Sequence, residues 1–162
     1  MSSNNGSKRR PYSVRRSSIQ GQGVFALQRI RPGRRIIEYK GERITSDEET
    51  MRYDDDEMDR HHTFLFEIDD EISIDGNSKG NAARYINHSC DPNCEAVLEE
   101  DQVFIDAVKN IQPGVELSYD YNYQSETKPT KSELAKYVCH CGAANCRGTI
   151  LAWEPPKSNG RK

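Results

Sequence analysis

The arrangement of the cysteines constrains this chain more than any other feature of its sequence. Three of the five lie within eight residues, at Cys139, Cys141 and Cys146, and two lie earlier, at Cys90 and Cys94. An odd number of cysteines without a recognisable secretion signal argues for metal binding rather than for a disulfide framework. The Cys-x-Cys-x4-Cys spacing brings three thiolates together, whereas structural zinc takes four ligands in a tetrahedron.

The fourth zinc ligand must therefore come from outside this cluster. His140 lies between two of the predicted ligands, and we expect its side chain to point away from the metal. A distant cysteine is the better candidate. The sequence thus predicts that Cys90 or Cys94 completes the site and ties the C-terminal segment to the residues around it.

Residues 84–94, RYINHSCDPNC, gather short polar side chains around the two earlier cysteines. A strand or helix selected only for packing does not need so many of them. Buried polar side chains either cap backbone groups or hold a ligand, because each must find a partner. This segment is therefore the predicted functional centre of the chain.

Composition indicates one domain with polar ends and room for a small appended module. The chain has 162 residues, of which 34% are hydrophobic and 30% charged, and its formal net charge is −3. These values predict a modest core. The sequence contains no apolar run of the ~20 residues that a membrane-spanning helix needs. We therefore expect an intracellular protein that is not embedded in a membrane.

Hydrophobic alternation and turn residues predict a mostly β body with little helix. The predicted strands cover residues 35–44, 62–68, 71–75, 95–98, 103–108 and 115–123. Tyr119, Tyr121 and Tyr123 fall on alternate positions of the last one and should share a face. A short acidic helix is predicted over residues 47–59, with Ser46 as N-cap and Glu49 completing a capping box.

The N-terminal part contains a basic cluster and a glycine pair. Residues 1–11 are predicted to be a disordered arm that becomes more basic with Arg15 and Arg16. A solvated terminus is preferred for it over a nucleic-acid contact or a nuclear address, since the overall charge is negative. Gly21 and Gly23 indicate a tight hairpin turn or a close approach to a ligand, and the pattern lacks the third glycine of a dinucleotide site.

Several of these motifs together resemble the SET-domain protein lysine methyltransferases. The resemblance rests on NHSCDPNC at residues 87–94, YDY at 119–121 and the cysteine-rich C-terminal segment. The segments 21–26, 38–42 and 80–85 follow in the family's order. The similarity runs from about Ser18 to Gly148.

The resemblance implies a SET-domain fold of small β-sheets, in which the C-terminal part is threaded in a knot-like way past residues 87–90. It places a SET domain at 12–123, a linker at 124–138, a post-SET zinc segment at 139–155 and a disordered tail at 156–162. No cysteine-rich pre-SET region is recognised before Ser18.

The resemblance also implies a catalytic group of three tyrosines. Tyr121 matches the catalytic tyrosine that orients the lysine amine and the methyl group. Tyr119 matches a position that limits the number of methyl groups, which predicts mono- or dimethylation. Tyr39 matches an aromatic residue lining the lysine channel.

The implied cofactors are S-adenosylmethionine and a structural zinc ion. The residues that match cofactor-binding positions are Gly21, Gln22, Gly23, Arg84, Tyr85, Asn87 and His88, and Leu151 is expected to cover the adenine. By the same resemblance, Cys90 joins Cys139, Cys141 and Cys146 at zinc. Cys94 is then a free, partly buried thiol.

The implied substrate is a protein with a lysine in an extended basic segment, such as a histone tail, added beside a strand. The acidic residues in 47–59 and 67–71 suit such a partner. The location would be nuclear in a eukaryote, and cytoplasmic or exported to a host in a bacterium. Two other functions stay open, a catalytically inactive SET-like binding module and a zinc-dependent nucleic-acid binder; the sequence does not indicate an oligomeric state.

Overall fold

The computed structural model describes residues 9–53 and 64–157, and most of its regular structure is β. The strands are β1 Tyr12–Arg16, β2 Gln22–Ala26, β3 Arg35–Tyr39, β4 Glu42–Thr45, β5 Leu65–Glu67, β6 Ile72–Asp75, β7 Asn87–His88, β8 Cys94–Glu99, β9 Gln102–Ala107, β10 Ser118–Tyr119, β11 Tyr123–Gln124 and β12 Leu151–Ala152. The helices are α1 Ser46–Arg52, α2 Lys131–Lys136 and a 3-10 turn at Ala82–Tyr85. None of the described helices has the length and apolar character needed to cross a membrane.

The strands form small sheets, as the sequence predicts. Two sheets have three strands, in the orders β3-β9-β8 and β4-β6-β5, and β1 pairs with β2 in an antiparallel hairpin. Two further pairs, β7 with β10 and β11 with β12, are parallel. Parallel strands need long connections. The first pair brings residues 118–119 beside residues 87–88, where the knot-like threading is predicted, and the second joins residues 151–152 to residues 123–124.

The core lies between the β3-β9-β8 sheet, the β1-β2 hairpin and the 3-10 turn. Its fully buried side chains include Val24, Ile30, Ile86, Val103, Ile105, Ile111 and Leu117. Alternate residues of β9 face it, which is the period-two pattern that identified this strand in the sequence. The predicted β8-β9 hairpin is confirmed.

The strand predicted over residues 35–44 is in fact two strands in different sheets. The extended conformation is interrupted at Lys40 and Gly41, between β3 and β4. A Cβ atom on Gly41 would lie 2.4 Å from the carbonyl oxygen of Asp75, so only glycine allows this close approach. The break redirects the chain from one three-stranded sheet to the other.

The strand predicted over residues 115–123 is also interrupted. β10 and β11 are separate two-residue strands, and Asn122 between them has a φ of +50°, a conformation that asparagine tolerates better than most residues. The tyrosine rings nevertheless remain neighbours. Ring centroids are 4.9 Å apart for Tyr119 and Tyr121, and 6.4 Å apart for Tyr121 and Tyr123.

The predicted cap of the acidic helix is wrong by one residue. Thr45 is the N-cap of α1 and forms a capping box with Glu48. The Ser46 hydroxyl instead donates to the backbone carbonyl of Asp70. The described helix ends at Arg52, and residues 54–59 of the predicted helix lie outside the described part of the chain.

Two other segments contain more structure than the sequence indicates. Arg15 and Arg16 belong to β1, so they are not part of a disordered arm, while residues 1–8 lie outside the described ones. Helix α2 occupies the predicted linker and is capped by Thr130 with Glu133. The expected turn between β1 and β2 is present, and Gly21 within it has a φ of +47°.

Candidate active site and metal centre

Tyr121 is fixed by two hydrogen bonds at one end of a large cavity. Its hydroxyl donates to the carbonyl oxygen of Ile86 at 2.7 Å. Its backbone N–H donates to Nδ1 of His88 at 3.0 Å. Desolvation by the surrounding protein raises the pKa of this hydroxyl well above its ordinary value. At neutral pH the phenol is therefore protonated and held in one orientation, so it cannot act as a base.

Tyr39 and Tyr119 are buried beside Tyr121 but differ in their hydrogen bonding. The Tyr39 hydroxyl donates to the carbonyl oxygen of Phe64 at 2.6 Å. Among the described residues, the Tyr119 hydroxyl has no hydrogen-bond partner. Burial raises the pKa of both phenols. Tyr119 thus offers a neutral polar group that is available to a water molecule or a ligand.

His88 connects this tyrosine group to a cysteine. Its Nδ1 accepts the Tyr121 N–H, and its Nε2 lies 3.5 Å from Sγ of Cys90. The ring must therefore carry its proton on Nε2, which donates towards the sulfur. Burial lowers the pKa of His88 to about 4. A neutral imidazole with a defined tautomer thus joins Tyr121 to Cys90.

The Asn87 side chain binds the loop of residues 20–22, called the glycine loop below, which leads into β2. Its side-chain amide donates to the carbonyl oxygens of Gln20 and Gln22 at 3.2 and 3.0 Å. The same nitrogen also lies 2.8 Å from Oε1 of Glu116. This side chain therefore holds residues 20–22 in place against β7.

Glu116 completes the attachment of that loop, and the sequence does not single it out. Its carboxylate accepts the Ser17 hydroxyl at 2.8 and 2.9 Å. A Cβ atom on Gly23 would lie 2.3 Å from the Glu116 carboxylate, so a larger residue would displace this carboxylate. The preference for glycine at this position thus comes from a neighbouring side chain, whereas at Gly21 it comes from the positive φ.

Arg84 carries a buried donor without a partner among the described residues. Its two terminal nitrogens donate to the Gly76 carbonyl at 3.2 Å and to the Tyr85 hydroxyl at 2.7 Å. Its Nε is buried and makes no hydrogen bond to any described residue. Buried donors are rarely left unpaired in folded proteins. Arg84 borders the cavity, so we take this nitrogen as a candidate donor to a bound ligand.

These groups meet in one cavity of about 820 Å³. The predicted site residues that line it are Tyr39, Tyr119, Tyr121, Gly21, Gln22, Arg84, Tyr85, Asn87 and His88. Its volume is in the range of sites that enclose a nucleotide-sized ligand. The cavity, the glycine loop and the unpaired Arg84 nitrogen therefore fit S-adenosylmethionine with room for a lysine side chain.

Two residues predicted to bind the cofactor do not line this cavity. Gly23 is buried behind the loop against Glu116. Leu151 is buried in β12, where it pairs with Tyr123, and its neighbour Ile150 lines the cavity instead. The segment 136–140, which begins at the last residue of α2, also contributes to the wall. The cysteine motif marks only its end, at Cys139 and His140.

The four predicted zinc ligands are brought together. The Sγ atoms of Cys90, Cys139, Cys141 and Cys146 all lie within 4.8 Å of one another. The sulfurs of Cys90 and Cys139 are 3.8 Å apart. A tetrahedral zinc with bonds of about 2.3 Å would separate its sulfur ligands by about 3.8 Å. The cluster therefore fits a structural zinc ion.

Backbone donors around the cluster suit thiolate ligands. N–H groups of Cys141, Arg147 and Gly148 lie 3.3–3.4 Å from cluster sulfurs. Such donors orient metal-bound thiolates. Cys94 does not join the cluster. It is 1% exposed, and burial raises the pKa of its thiol to about 12, so it is more deeply buried than the sequence indicates.

An ion pair joins the segment that carries the cysteine cluster to the segment that carries the tyrosines. The Arg147 guanidinium donates to both carboxylate oxygens of Asp120, at 2.7 and 3.2 Å. Although partial burial acts in the opposite direction, this guanidinium lowers the pKa of Asp120. Asp120 lies between Tyr119 and Tyr121. We call this pair the Asp120–Arg147 clasp, and sequence reasoning does not identify it.

The opposite wall of the cavity is held by a buried carboxylate. Asp75 is 2% exposed and accepts hydrogen bonds from Arg52 at 2.9 Å and from the Tyr53 hydroxyl at 3.1 Å. Arg52 also pairs with Glu42 on β4. These contacts fasten the end of α1 to the β4-β6-β5 sheet, whose edge strand β5 lines the cavity.

A model of the SET domain matches residues 21–122 of this chain. The matched region contains the glycine loop, the tyrosines and the polar segment around Asn87. The chain therefore belongs to the SET-domain family.

Similar curated proteins carry histone-lysine methyltransferase names. The chain is 40% identical over 157 residues to histone-lysine N-methyltransferase Set2 of Drosophila melanogaster, covering 94% of this chain and 6% of that protein. It is 37% identical over 154 residues to the H3 lysine-4 specific enzyme of Saccharomyces cerevisiae, covering 88% and 13%. The chain thus spans only a small part of the length of these relatives.

Solved structures of Polycomb repressive complex 2 share the fold. A crystal structure of the Chaetomium thermophilum complex aligns with a TM-score of 0.63 at 31% identity, over 68% of this chain and 15% of that one. A second structure, in an autoinhibited conformation bound to S-adenosylmethionine, gives 0.62 at 30% identity, over 69% and 15%. The SET-domain fold expected from the sequence is confirmed.

Proposed function

We propose that this chain transfers a methyl group from S-adenosylmethionine to a lysine side chain of a histone or a similarly basic protein. One observation carries the proposal. A single cavity contains the fixed phenol of Tyr121, the loop held by Asn87 and the unpaired Nε of Arg84. Membership of the SET-domain family and the names of the similar proteins support it.

We assign different roles at this site to Tyr121, Asn87 and Arg84. S-adenosylmethionine, when bound, supplies an electrophilic methyl group that a neutral amine attacks directly. Residues 20–22, Asn87 and His88 would form the cofactor half of the cavity. Arg84 would donate from Nε to an acceptor there. Tyr121 would orient the amine, so catalysis rests on proximity and alignment.

The tyrosine half of the cavity would also prepare the lysine amine. Tyr39, Phe66 and Tyr119 place aromatic rings around it, with centroids 5.5 Å apart for Tyr39–Phe66 and 6.3 Å apart for Phe66–Tyr119. Desolvation in this channel, together with the positive sulfonium of bound S-adenosylmethionine, would disfavour a charged ammonium and lower its pKa. Because the phenols stay protonated, the proton leaves the lysine to solvent before transfer, without a tyrosinate base.

Tyr119 would limit how many methyl groups the lysine receives. Its hydroxyl has no hydrogen-bond partner among the described residues, so it is suited to hold a water in the space of an additional methyl. The expected products are mono- and dimethyl-lysine. Replacing Tyr119→Phe should shift the products towards higher methylation, and mass spectrometry of a modified peptide measures this shift. An unchanged distribution would contradict the assignment.

The substrate segment would bind as an added strand beside β5. This strand pairs only with β6 among the described strands, and Phe64, Leu65, Phe66 and Glu67 line the cavity. An open strand edge is a site for β-augmentation. Nearby carboxylates of Glu49 and Glu67 suit a basic segment. A histone substrate would place the protein on nuclear chromatin in a eukaryote.

The zinc ion would have a structural role. Bound by Cys90, Cys139, Cys141 and Cys146, it would hold the wall formed by residues 136–140 and 150 over the cavity. We divide the chain accordingly into a SET domain at 12–123, a connecting segment at 124–138 and a post-SET zinc segment at 139–155.

Incubation with labelled S-adenosylmethionine and either core histones or a basic peptide tests the proposal. Label should appear on lysine with wild-type protein. It should fall by at least about a hundredfold with Tyr121→Phe, since orientation of the amine is lost. The alternative, a catalytically inactive SET-like binding module, predicts substrate binding without label transfer by zinc-loaded protein.

A further inference from the structure

Charge is strongly segregated along this chain. Residues 1–37 contain nine of the 23 basic residues and no acidic residue at all. With 26 acidic residues in 162 positions, about six would be expected in a segment of that length. The remaining residues are correspondingly acidic, although the net charge of the whole chain is only −3. Only the basic residues up to Arg16 were expected to form part of a solvated terminus, and Arg15 and Arg16 lie on β1 instead.

The fold brings this basic segment together with a second one that also lacks acidic residues. Backbone hydrogen bonds join Leu27 to Pro11, Ile30 to Ile111 and Gly33 to Ala107. The segments 9–16, 26–34 and 107–115 are therefore neighbours on one side of the protein. None of them contains an aspartate or a glutamate.

Six arginines of these segments form what we call the arginine face. They are Arg9, Arg10, Arg15, Arg29, Arg31 and Arg34, and all are exposed. Arg16 is excluded because it follows Arg15 on the strand and points to the opposite side of the hairpin. None of the six forms an ion pair within residues 9–53 and 64–157.

Three other arginines contrast with this group. Arg35, Arg52 and Arg147 each pair with carboxylates. In the arginine face, Arg15 instead donates to the Gly114 carbonyl and Arg29 to the Asn110 side chain. Unpaired guanidinium groups repel one another at close range. Their accumulation on one ordered surface therefore favours a polyanionic partner.

We propose that the arginine face binds the phosphate backbone of duplex DNA. Guanidinium groups bind phosphate oxygens in bidentate geometry. Strand β1 extends over about 16 Å, and duplex DNA carries about nine phosphate charges in that length. A rigid hairpin with arginines before, on and after it matches a regular line of phosphates.

Single-stranded RNA fits this surface less well. Proteins that bind single strands stack the bases on exposed aromatic rings. On the hairpin, Phe25 is half-buried and covered by the Arg15 guanidinium, 4.0 Å from the ring centroid, and Tyr12 is half-buried as well. The surface thus offers charge without a stacking platform.

Fluorescence anisotropy with a labelled duplex of mixed sequence tests the proposal over a range of salt concentrations. If the six arginines contact phosphates, the logarithm of the binding constant should fall with log salt with a slope of about −5. The triple variant Arg29→Gln/Arg31→Gln/Arg34→Gln should reduce this slope by about 3. It should weaken binding on the order of tenfold or more near 0.1 M salt.

A matched control separates the surface from net charge. The variant Lys128→Gln/Lys131→Gln/Lys157→Gln removes the same charge from exposed residues outside the three segments, and it should bind DNA almost like wild type. Equal losses in the two variants would overturn the proposal. So would tighter binding of single-stranded RNA, or no DNA binding at low salt.

The measurement does not depend on the proposed methyl transfer. DNA binding is recorded without S-adenosylmethionine, and thermal melting of both triple variants shows that they are folded. Methylation of a free basic peptide should be unchanged by the arginine substitutions. A failure of DNA binding and a failure of methyl transfer are therefore seen in separate assays.

Discussion

The two walls of the cavity are fixed by different chemistry. The C-terminal wall, residues 136–140 and 150, depends on four thiolates and the Asp120–Arg147 clasp. The opposite wall, the β4-β6-β5 sheet with α1, depends on the buried Asp75 carboxylate and its donors. We expect one wall to need a metal ion and the other to need only groups of the chain itself. The first can thus be lost while the second persists.

Removal of the metal should have the largest effect and should separate the two walls. Structural zinc contributes about 10 kcal/mol or more to the folding of small metal modules. After chelation, we expect residues 137–152 to exchange amide hydrogens rapidly while residues 72–75 stay protected. Methyl transfer should fall at least about tenfold. Hydrogen exchange followed by mass spectrometry measures the first effect.

Added zinc should restore both protection and activity, and Cys94→Ser should not prevent this recovery, because Cys94 lies outside the cluster. Full activity in metal-free protein would show that the C-terminal wall keeps its structure without the metal ion.

Replacing Asp75→Asn tests the other wall. The substitution removes the charge that Arg52 and Tyr53 contact, and hydrogen bonds to a buried charged group contribute about 2 kcal/mol. The free energy of unfolding measured in urea should fall by about that amount, with zinc content unchanged. Asp91→Asn is the matched control, since that carboxylate is exposed and should give no measurable change. A loss of zinc from the Asp75→Asn protein would show that the walls are coupled.

Replacing Arg147→Lys should have a smaller effect, confined to the C-terminal wall. Lysine keeps the charge but cannot reproduce the two parallel hydrogen bonds to Asp120. We expect KM for S-adenosylmethionine to rise severalfold while zinc content stays the same. Arg35→Lys is the control, because Arg35 makes similar bonds to Asp106 and Glu99 on the β3-β9-β8 sheet. Equal changes in both variants would mean that the clasp has no special relation to the cavity.

The N-caps of α1 and α2 allow the two walls to be compared through single substitutions of small effect. Thr45 and Thr130 form the same capping box on α1 and α2, one helix for each wall. Replacing either by alanine should cost about 1 kcal/mol of helix stability. Thr45→Ala should increase hydrogen exchange in α1 only, and Thr130→Ala in α2 only. If a single substitution increased hydrogen exchange in both helices, the two walls would not be independent.

The parts of this site with local chemical signatures were predictable from the sequence. Cysteine spacing identified three metal ligands, and the polar segment around Asn87 marked the centre of the cavity. The resemblance supplied Cys90 as the fourth ligand. Residue type and spacing along the chain were sufficient for these features.

Features that depend on tertiary contacts were not predictable. Thr45 and Ser46 are both followed by a glutamate three residues later, so sequence alone offers two capping boxes. The bond from Ser46 to the Asp70 carbonyl decides between them. The Asp120–Arg147 clasp joins residues 27 positions apart, and a single ion pair leaves no pattern in a sequence.

The parallel pairing of β11 with β12 has a consequence for how the protein is made. Tyr123 pairs with Leu151, and Cys90 must meet Cys139 across 49 residues. Contacts between distant residues form slowly, because a long loop must be closed first. During synthesis the hairpins β1-β2 and β8-β9 leave the ribosome long before Cys146 does. The cavity is therefore completed last, and a nascent chain stays without a finished active site until its final thiolate is available.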